Sequence, residues 1–447
     1  MSNDHQHKLP NEAKLFSSDA AAESVRVIST LTNAGFVAYL AGGCVRDAML
    51  GRVPKDFDVA TNATPESVRE IFGKRRTLAF GASFGVIAVL PPKADRNKLS
   101  DAIPPTEVAT FRSDGEYSDG RRPDSVRYGT AEEDALRRDF TINGMFYDLA
   151  SRKVIDFVDG ASDLQSGTLR TIGDPLDRFK EDKLRMLRAV RFATTLNFRI
   201  EEATQAAIQQ FGSEISVVSG ERIGAEMRKV LCSPHAAKGI QWLNDCGLLN
   251  EILPGISDVD MDRIERYLDA LAIRDFPSSL ACLMIAQQAA TPQADAQQSK
   301  RHTAPDKAIG QIASRWKLSN EEKRQTASAL THARGIVQSL SWPWSKIQPI
   351  LIDRDIGEIL NVADAIIAAE ELPNEAVKIA HAALQWPKEK RDPTPLLTGN
   401  DLHRYQFQAG PLFREILTET RRAQLDGEID SHEQALEIAK RIAEGVG

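Results

Sequence analysis

Cysteine is scarce. The 447-residue chain has four, Cys44, Cys232, Cys246 and Cys282, with no Cys-x-x-Cys pair and no histidine at zinc-ligand spacing. That excludes a disulfide-stapled secreted scaffold and a structural zinc ribbon, and the four read as reduced thiols. Long apolar runs are also missing. The first twenty residues are polar, without the hydrophobic stretch of a signal peptide, and nothing approaches the ~18 apolar residues of a membrane span. The expectation is a cytoplasmic protein with no membrane association. Nor is there an excess of positive charge: 56 Lys and Arg against 63 Asp and Glu leave a net charge of −7. Any affinity for phosphates must then come from local patches. No third glycine follows Gly42-Gly43 at the spacing of a dinucleotide fingerprint, which removes a nicotinamide oxidoreductase. None of His235, His302, His332, His381, His403 and His432 adjoins an aspartate, so the helical half carries no His-Asp phosphohydrolase signature. No repeat recurs at a fixed period.

What is present is an ordinary globular composition, 42% hydrophobic and 27% charged, long enough for about three units at ~150 residues each. The first 170 or so residues mix short β-rich runs (FVAYLAGG, DFDVAT, GVIAVL, EVATFR, VIDFVD) with helical stretches. From about Leu169 the apolar residues recur at three- and four-residue spacing, in KLRMLRAVRFATTL, EATQAAIQQFG, ERIGAEMRKVL and AAKGIQWLNDCGLL. The fold class expected is α+β: an N-terminal mixed sheet with helices, then an all-helical remainder. Ala289 to Lys307 reads as a long loop, and Trp386 to Pro395 as a second break. A basic stretch, Arg170 to Arg199, is open to two readings, a phosphate-facing patch or a solvated helix face.

Chemistry concentrates in Tyr39 to Thr61, YLAGGCVRDAMLGRVPKDFDVAT. A strand feeding through Gly42 and Gly43 into a helix puts bare backbone N–H groups where a phosphate can approach. Beyond it, Asp56 and Asp58 alternate along an expected strand, roughly 7 Å apart on one face, with Phe57 and Val59 turned to the core. Two such carboxylates can share divalent ions, expected to be Mg2+, and two ions stabilise both the attacking oxygen and the leaving pyrophosphate in phosphoryl transfer. Glu107, in EVATFR, is the candidate third acid. A module that only held RNA would have no need of Asp56, Asp58 and Glu107 together.

The sequence GGCVRD followed by DFD resembles the first motif, GGxVRD then DxD, of the class II tRNA nucleotidyltransferase and bacterial poly(A) polymerase family. The resemblance continues in order through EEDALRRDFTIN, similar to an RRDxxxN nucleotide-binding motif, DLQSGTLRTIGDP, similar to a flexible hinge, EDKLRMLRAVRF and ERIGAEMRKVL. It implies a disordered tail (1–21), a catalytic head (22–168), a helical neck with a nucleotide-base template (169–232), an RNA-binding body (233–390) and a tRNA-binding tail (391–447). It implies template-independent addition of CMP and AMP from CTP and ATP to the 3′ end of tRNA, gripped at its acceptor end and elbow. Poly(A) addition, or CC-only or A-only addition, remains the alternative. Gly399-Asn400-Asp401-Leu402 and Gly410-Pro411 resemble the tails of the tRNA enzymes. The nucleotide-binding residues implied are Gly42, Gly43, Arg46, Arg138, Asp139, Asn143, Asp182, Arg185, Arg188 and Arg191. Arg112 and Asp114 to Arg122 resemble a flexible loop between head strands; an ordinary surface loop is the other reading.

The resemblance assigns base selection to Asp182 and Arg185. On a helix, residues three apart share a face. The amino groups of C and A each adjoin an unprotonated ring nitrogen, so a carboxylate accepts from one while a guanidinium donates to the other. U and G reverse the pattern and leave both contacts unsatisfied. The competing reading is a plain helical ion pair between the two residues.

Overall fold

A computed structural model of the chain describes residues 6–9, 12–81, 84–92, 103–115, 117, 120, 123–253, 260–288, 305–407 and 410–445. It divides into two compact units, one of residues 1–230 with 238–254 and the other of 231–237 with 255–447.

The first unit is built on strands β1 (Gln6–His7), β2 (Ala38–Ala41), β3 (Asp58–Thr61), β4 (Thr77–Gly81), β5 (Val86–Val89), β6 (Thr106–Thr110), β7 (Arg112–Asp114), β8 (Val126–Tyr128), β9 (Phe146–Asp148) and β10 (Lys153–Ile155). Eight form one sheet in the order β1-β10-β9-β2-β3-β6-β5-β4; β7 and β8 pair separately. The large sheet is antiparallel except where β3 runs parallel to β6. Its interior strands carry Leu40, Val59, Ile87 and Phe146, all 0% exposed, consistent with β-branched and aromatic residues filling a pleated, buried face. The helix Asp19–Asn33 lies beside β2, β3 and β6. It starts where the Ser18 hydroxyl accepts from Ala21 N, and Ala131–Leu136 starts at a reciprocal capping box between Thr130 and Glu133. Helices take over from Pro175–Glu181 onward, through Leu184–Leu196, Glu202–Phe211 and Gly220–Leu231.

The expected disordered tail is corrected in part. Gln6–His7 pairs antiparallel with β10, and the helix Glu12–Leu15 is held by Arg152, which donates to Glu12 Oε1 and Oε2 at 3.0 Å each. A polar composition concealed this, because the segment is ordered by backbone pairing, an ion pair and one isolated buried apolar side chain, Leu15, rather than by a periodic apolar face.

The second unit is helical among its described residues. Asn320–Val337 packs against Phe276–Gln288 and Ile356–Glu370 around a buried Trp316. Arg334 donates to Glu370 at 2.6 and 3.0 Å. Gly399–Arg404, Pro411–Leu425 and His432–Ala443 close over Leu397, Leu402, Ile416, Ala435 and Ala439. The expected long loop Ala289 to Lys307 lies outside the described residues except for its last three, which open the helix Pro305–Trp316. No helix among the described residues is long and apolar enough to cross a membrane. All four cysteines are free thiols.

Candidate active site

Asp58 is the first residue of β3 and stands in register with Glu107 of β6. Side chains alternate across a strand, so both acids face outward while Val59 (0%) and Val108 (1%) are buried. Burial first, then the charges of Glu107 and Asp56, push the Asp58 carboxyl up to about 6 against the opposing pull of Arg138. Below it Cys44 is buried, and burial together with Asp58 raises its thiol to about 12, which removes it as a nucleophile. Asp56 corrects the sequence reading. The strand begins only at Asp58, and Asp56 lies exposed in the chain leading to it, outside the residues that line the pocket.

The donor set fits a hard divalent ion. It consists of carboxylate oxygens, and their mutual repulsion is the kind a dication relieves. No three acidic, histidine or cysteine side chains among the described residues converge into a cage. Such a cage is unnecessary for magnesium, which usually binds through one or two carboxylates and takes its other ligands from substrate phosphates and water.

Around the acids lies a cavity of about 510 Å³. One wall starts at Gly42, whose φ of +70° suits glycine and where a Cβ would sit 2.9 Å from Arg138 Nη1. The chain turns there into the helix Gly43–Met49, which carries Arg46. Arg46 donates to Asn143 Oδ1 (2.7 Å), and Asn143 Nδ2 donates in turn to Asp139 Oδ1 (3.0 Å). Asp139 Oδ2 accepts from Arg188 Nε (2.9 Å) and Nη2 (2.5 Å). Burial works to raise the Asp139 carboxyl, but Arg188, Asn143 and Arg185 outweigh it and hold the group at about 2. Arg137 and Arg138 are both anchored: Asp134, 0% exposed, accepts from Arg137 Nε at 2.8 Å and Arg138 Nη2 at 3.0 Å. Gly42, Gly43, Arg46, Arg138, Asp139, Asn143, Asp182, Arg185 and Arg188 all line the cavity with Asp58 and Glu107.

Asp182 and Arg185 meet in the cavity by a different route from the one expected. Asp182 is not on a shared helix; it has an extended backbone between Pro175–Glu181 and Leu184–Leu196 and accepts from Leu184 N at 3.0 Å. Its partner is Arg222, which donates from both terminal nitrogens at 3.2 and 2.6 Å. Arg185 bonds Glu181 and donates to Arg178 O at 3.2 Å. The competing reading, a plain ion pair between Asp182 and Arg185, is not what forms: each has a different partner. Arg191 is not a cavity residue: it donates to the buried Glu226 at 2.8 Å. The basic stretch as a whole is largely matched internally, with Arg170 on Asp163, Lys180 on Asp177 and Lys183 on Glu214.

Among the cavity residues that sequence reading did not single out are Arg137 and Arg222, while Tyr117 was included only as part of the loop Asp114 to Arg122, for which nucleotide positioning was one of two readings. Arg222 lies 40 residues from its partner, too far for any local spacing signal. Tyr117 falls in the expected flexible loop, whose residues 116, 118, 119, 121 and 122 lie outside the described residues.

Comparison with known proteins agrees with this geometry. Residues 38–170 match the family profile "Poly A polymerase head domain", 197–259 match "Probable RNA and SrmB- binding site of polymerase A", and 301–439 match tRNA nucleotidyltransferase domain 2. Poly(A) polymerase I of Salmonella typhi is 38% identical over 265 residues, 57% of this chain and 54% of that protein, so the match spans about half the length of that relative. A CCA-adding enzyme of Geobacillus sp. (strain WCH70) is 30% identical over 424 residues, 93% of this chain and 95% of that one. The crystal structure of the Bacillus stearothermophilus CCA-adding enzyme in complex with CTP superposes with a TM-score of 0.73 at 28% identity, covering 96% of this chain and 99% of that one. With paired carboxylates at the strand ends, an arginine-lined cavity and similarity running almost end to end, the chain belongs to the nucleotidyltransferase family of CCA-adding enzymes and bacterial poly(A) polymerases.

Proposed function

We propose that the chain adds CMP and AMP, from CTP and ATP, to the 3′ end of tRNA in the cytoplasm, without a nucleic-acid template. The observation that carries this is the extent of similarity: the match to a CCA-adding enzyme covers 93% of the chain, and that to the Salmonella poly(A) polymerase 57%. The higher identity within the shorter match favours poly(A) addition as the second reading.

Asp58 and Glu107, with Asp56 beside them, would hold Mg2+. When bound, the ion supplies positive charge to the triphosphate and makes the primer 3′-hydroxyl easier to deprotonate. Arg46, Arg138 and Arg188 present guanidinium groups to the anionic nucleotide, and the Asn143–Asp139 pair keeps Arg46 and Arg188 in place. Their role is positioning and charge stabilisation, which carry most of the catalysis in phosphoryl transfer. Asp182 offers acceptors and Arg185 donors to the base edge. Both are already fixed by other partners, so the pattern they present is set before the base arrives.

The test is magnesium-dependent incorporation of labelled CTP and ATP, assayed separately, on tRNA ending before CCA, on tRNA ending at CC and on an unrelated RNA. CMP transfer confined to the first substrate and AMP transfer to the second support the proposal. Repeated AMP addition to every 3′ end, with no use of CTP, would favour the poly(A) reading.

A further inference from the structure

The base-selecting pair reads an edge, and an edge leaves two aromatic faces of the nucleobase without a partner. Two aromatic side chains line the cavity, Phe192 and Tyr117. Phe192 is buried and its ring is already covered by the guanidiniums of Arg46, Arg188 and Arg191, which leaves Tyr117 to meet such a face. Tyr117 lines the same cavity as Asp182 and Arg185, and its ring centroid lies 6.0 Å from the Arg185 guanidinium carbon. A base hydrogen-bonded to Arg185 is therefore within reach of the Tyr117 ring.

The ring is held at its far end. Its hydroxyl donates to Asp114 Oδ2 at 2.7 Å. Asp114 is fixed from two further directions, by Arg112 Nε at 2.9 Å and by Arg137 Nη1 at 3.8 Å. Arg137 itself is anchored on the buried Asp134. The tether thus runs from the floor of the head, through Asp134, Arg137 and Asp114, to an aromatic ring beside the base-reading arginine. A ring fixed in this way loses little freedom when a base lies against it, and aromatic stacking suits pyrimidine and purine alike, because every base offers a π-face.

We propose that Tyr117 is the nucleobase-stacking residue of this site, its phenol ring lying against the face of the incoming base while Asp182 and Arg185 read the edge. This rests on the nucleotide-transfer reading above. It divides the work in two: stacking supplies affinity common to C and A, and the edge pair supplies choice. The larger purine face makes ATP the more dependent nucleotide.

The experiment titrates the intact chain with ATP and with CTP in magnesium, without tRNA, by calorimetry, and measures KM and kcat for each on the matching tRNA. Tyr117→Ala weakens ATP binding on the order of tenfold and CTP binding less, with the change in KM rather than kcat. Tyr117→Phe keeps the ring and binds both nucleotides within about threefold of wild type. Tyr117→Ala binding both nucleotides as wild type does would overturn the proposal. So would Tyr117→Phe as weak as Tyr117→Ala, which would assign the residue's effect to its hydroxyl tether. Failure of the wild-type chain to transfer CMP or AMP to tRNA would count against the functional reading instead, while the titration still decides whether the ring holds a base.

Discussion

Asp139 joins two of the cavity arginines, Arg188 directly and Arg46 through Asn143, and replacing it with Asn keeps its shape while removing its charge. The carboxylate accepts from Arg188 twice, from Asn143 and from Phe140 N. Its side chain is 11% exposed and that of Arg188 is 34% exposed. Removing one member of a fully buried pair costs ~3–5 kcal/mol; water reaching Arg188 relieves part of this, so about 2–3 kcal/mol is expected here. The assay is a urea-unfolding double-mutant cycle of Asp139→Asn and Arg188→Gln at neutral pH. The pair should be strongly coupled, and additivity within ~0.5 kcal/mol would refute the reasoning. The pH dependence has a definite sign. The folded carboxyl is held at about 2, below its ordinary value of 3.8. Its contribution is therefore complete above that ordinary value and is lost as pH falls through about 2. Around neutrality the gap between wild type and Asp139→Asn should not change with pH. Activity should fall as well, since the single amide oxygen of Asn cannot accept from both Asn143 and Arg188, and its NH2 group meets the donors of one of them.

Asp58→Asn should abolish transfer yet melt no lower than wild type, because burial and the neighbouring acids disfavour the Asp58 charge; a melting point several degrees below wild type would contradict this. Glu107→Ala should lose turnover with a normal circular dichroism spectrum, and near-normal turnover would exclude it from the site. Asp182→Ala and Arg185→Ala should each accept UTP and GTP, eroding a discrimination on the order of 10⁴ in relative kcat/KM; full discrimination in both would place base choice elsewhere. Gly42→Ala should cost about 1–3 kcal/mol, from its left-handed backbone and the contact with Arg138, read as a lowered melting point with a raised nucleotide KM.

Much of the head was legible because its key strands are short apolar runs bounded by turn residues. DFDVAT, GVIAVL and EVATFR each became strands, and the helical half followed its three- and four-residue periodicity. The strands β1, β4, β7, β8 and β9 were missed, since QH, TLAFG, RSD, VRY and FYD are too short or too weakly apolar to read as strands. Positions that line the cavity were legible where a local motif carried them, as with Arg138, Asp139 and Asn143. Arg191 was misplaced for a geometric reason. Steps of three on a helix rotate the side chain by about −60° each, so Arg188 stays near the face of Arg185 while Arg191 has turned roughly 120° away. The Asp182–Arg222 pair and the alignment of Asp58 with Glu107 join distant parts of the chain, and a single sequence does not reveal such pairings.

The parallel pairing of β3 with β6 gives the chain an uneven tolerance to length change. Between the two acids the polypeptide crosses by way of the helix Pro65–Phe72 to the sheet edge at β4 and comes back through β5, and loop closure grows only slowly more costly with added residues, by about 0.6 kcal/mol per doubling. Insertions along the detour beyond Leu90 should therefore be absorbed. A single residue gained or lost within Thr106–Thr110 is another matter, since strand faces alternate with a period of two and a slip by one would carry Glu107 to the opposite side of the sheet. The excursion is thus free to change in length, while the five residues of the returning strand are not.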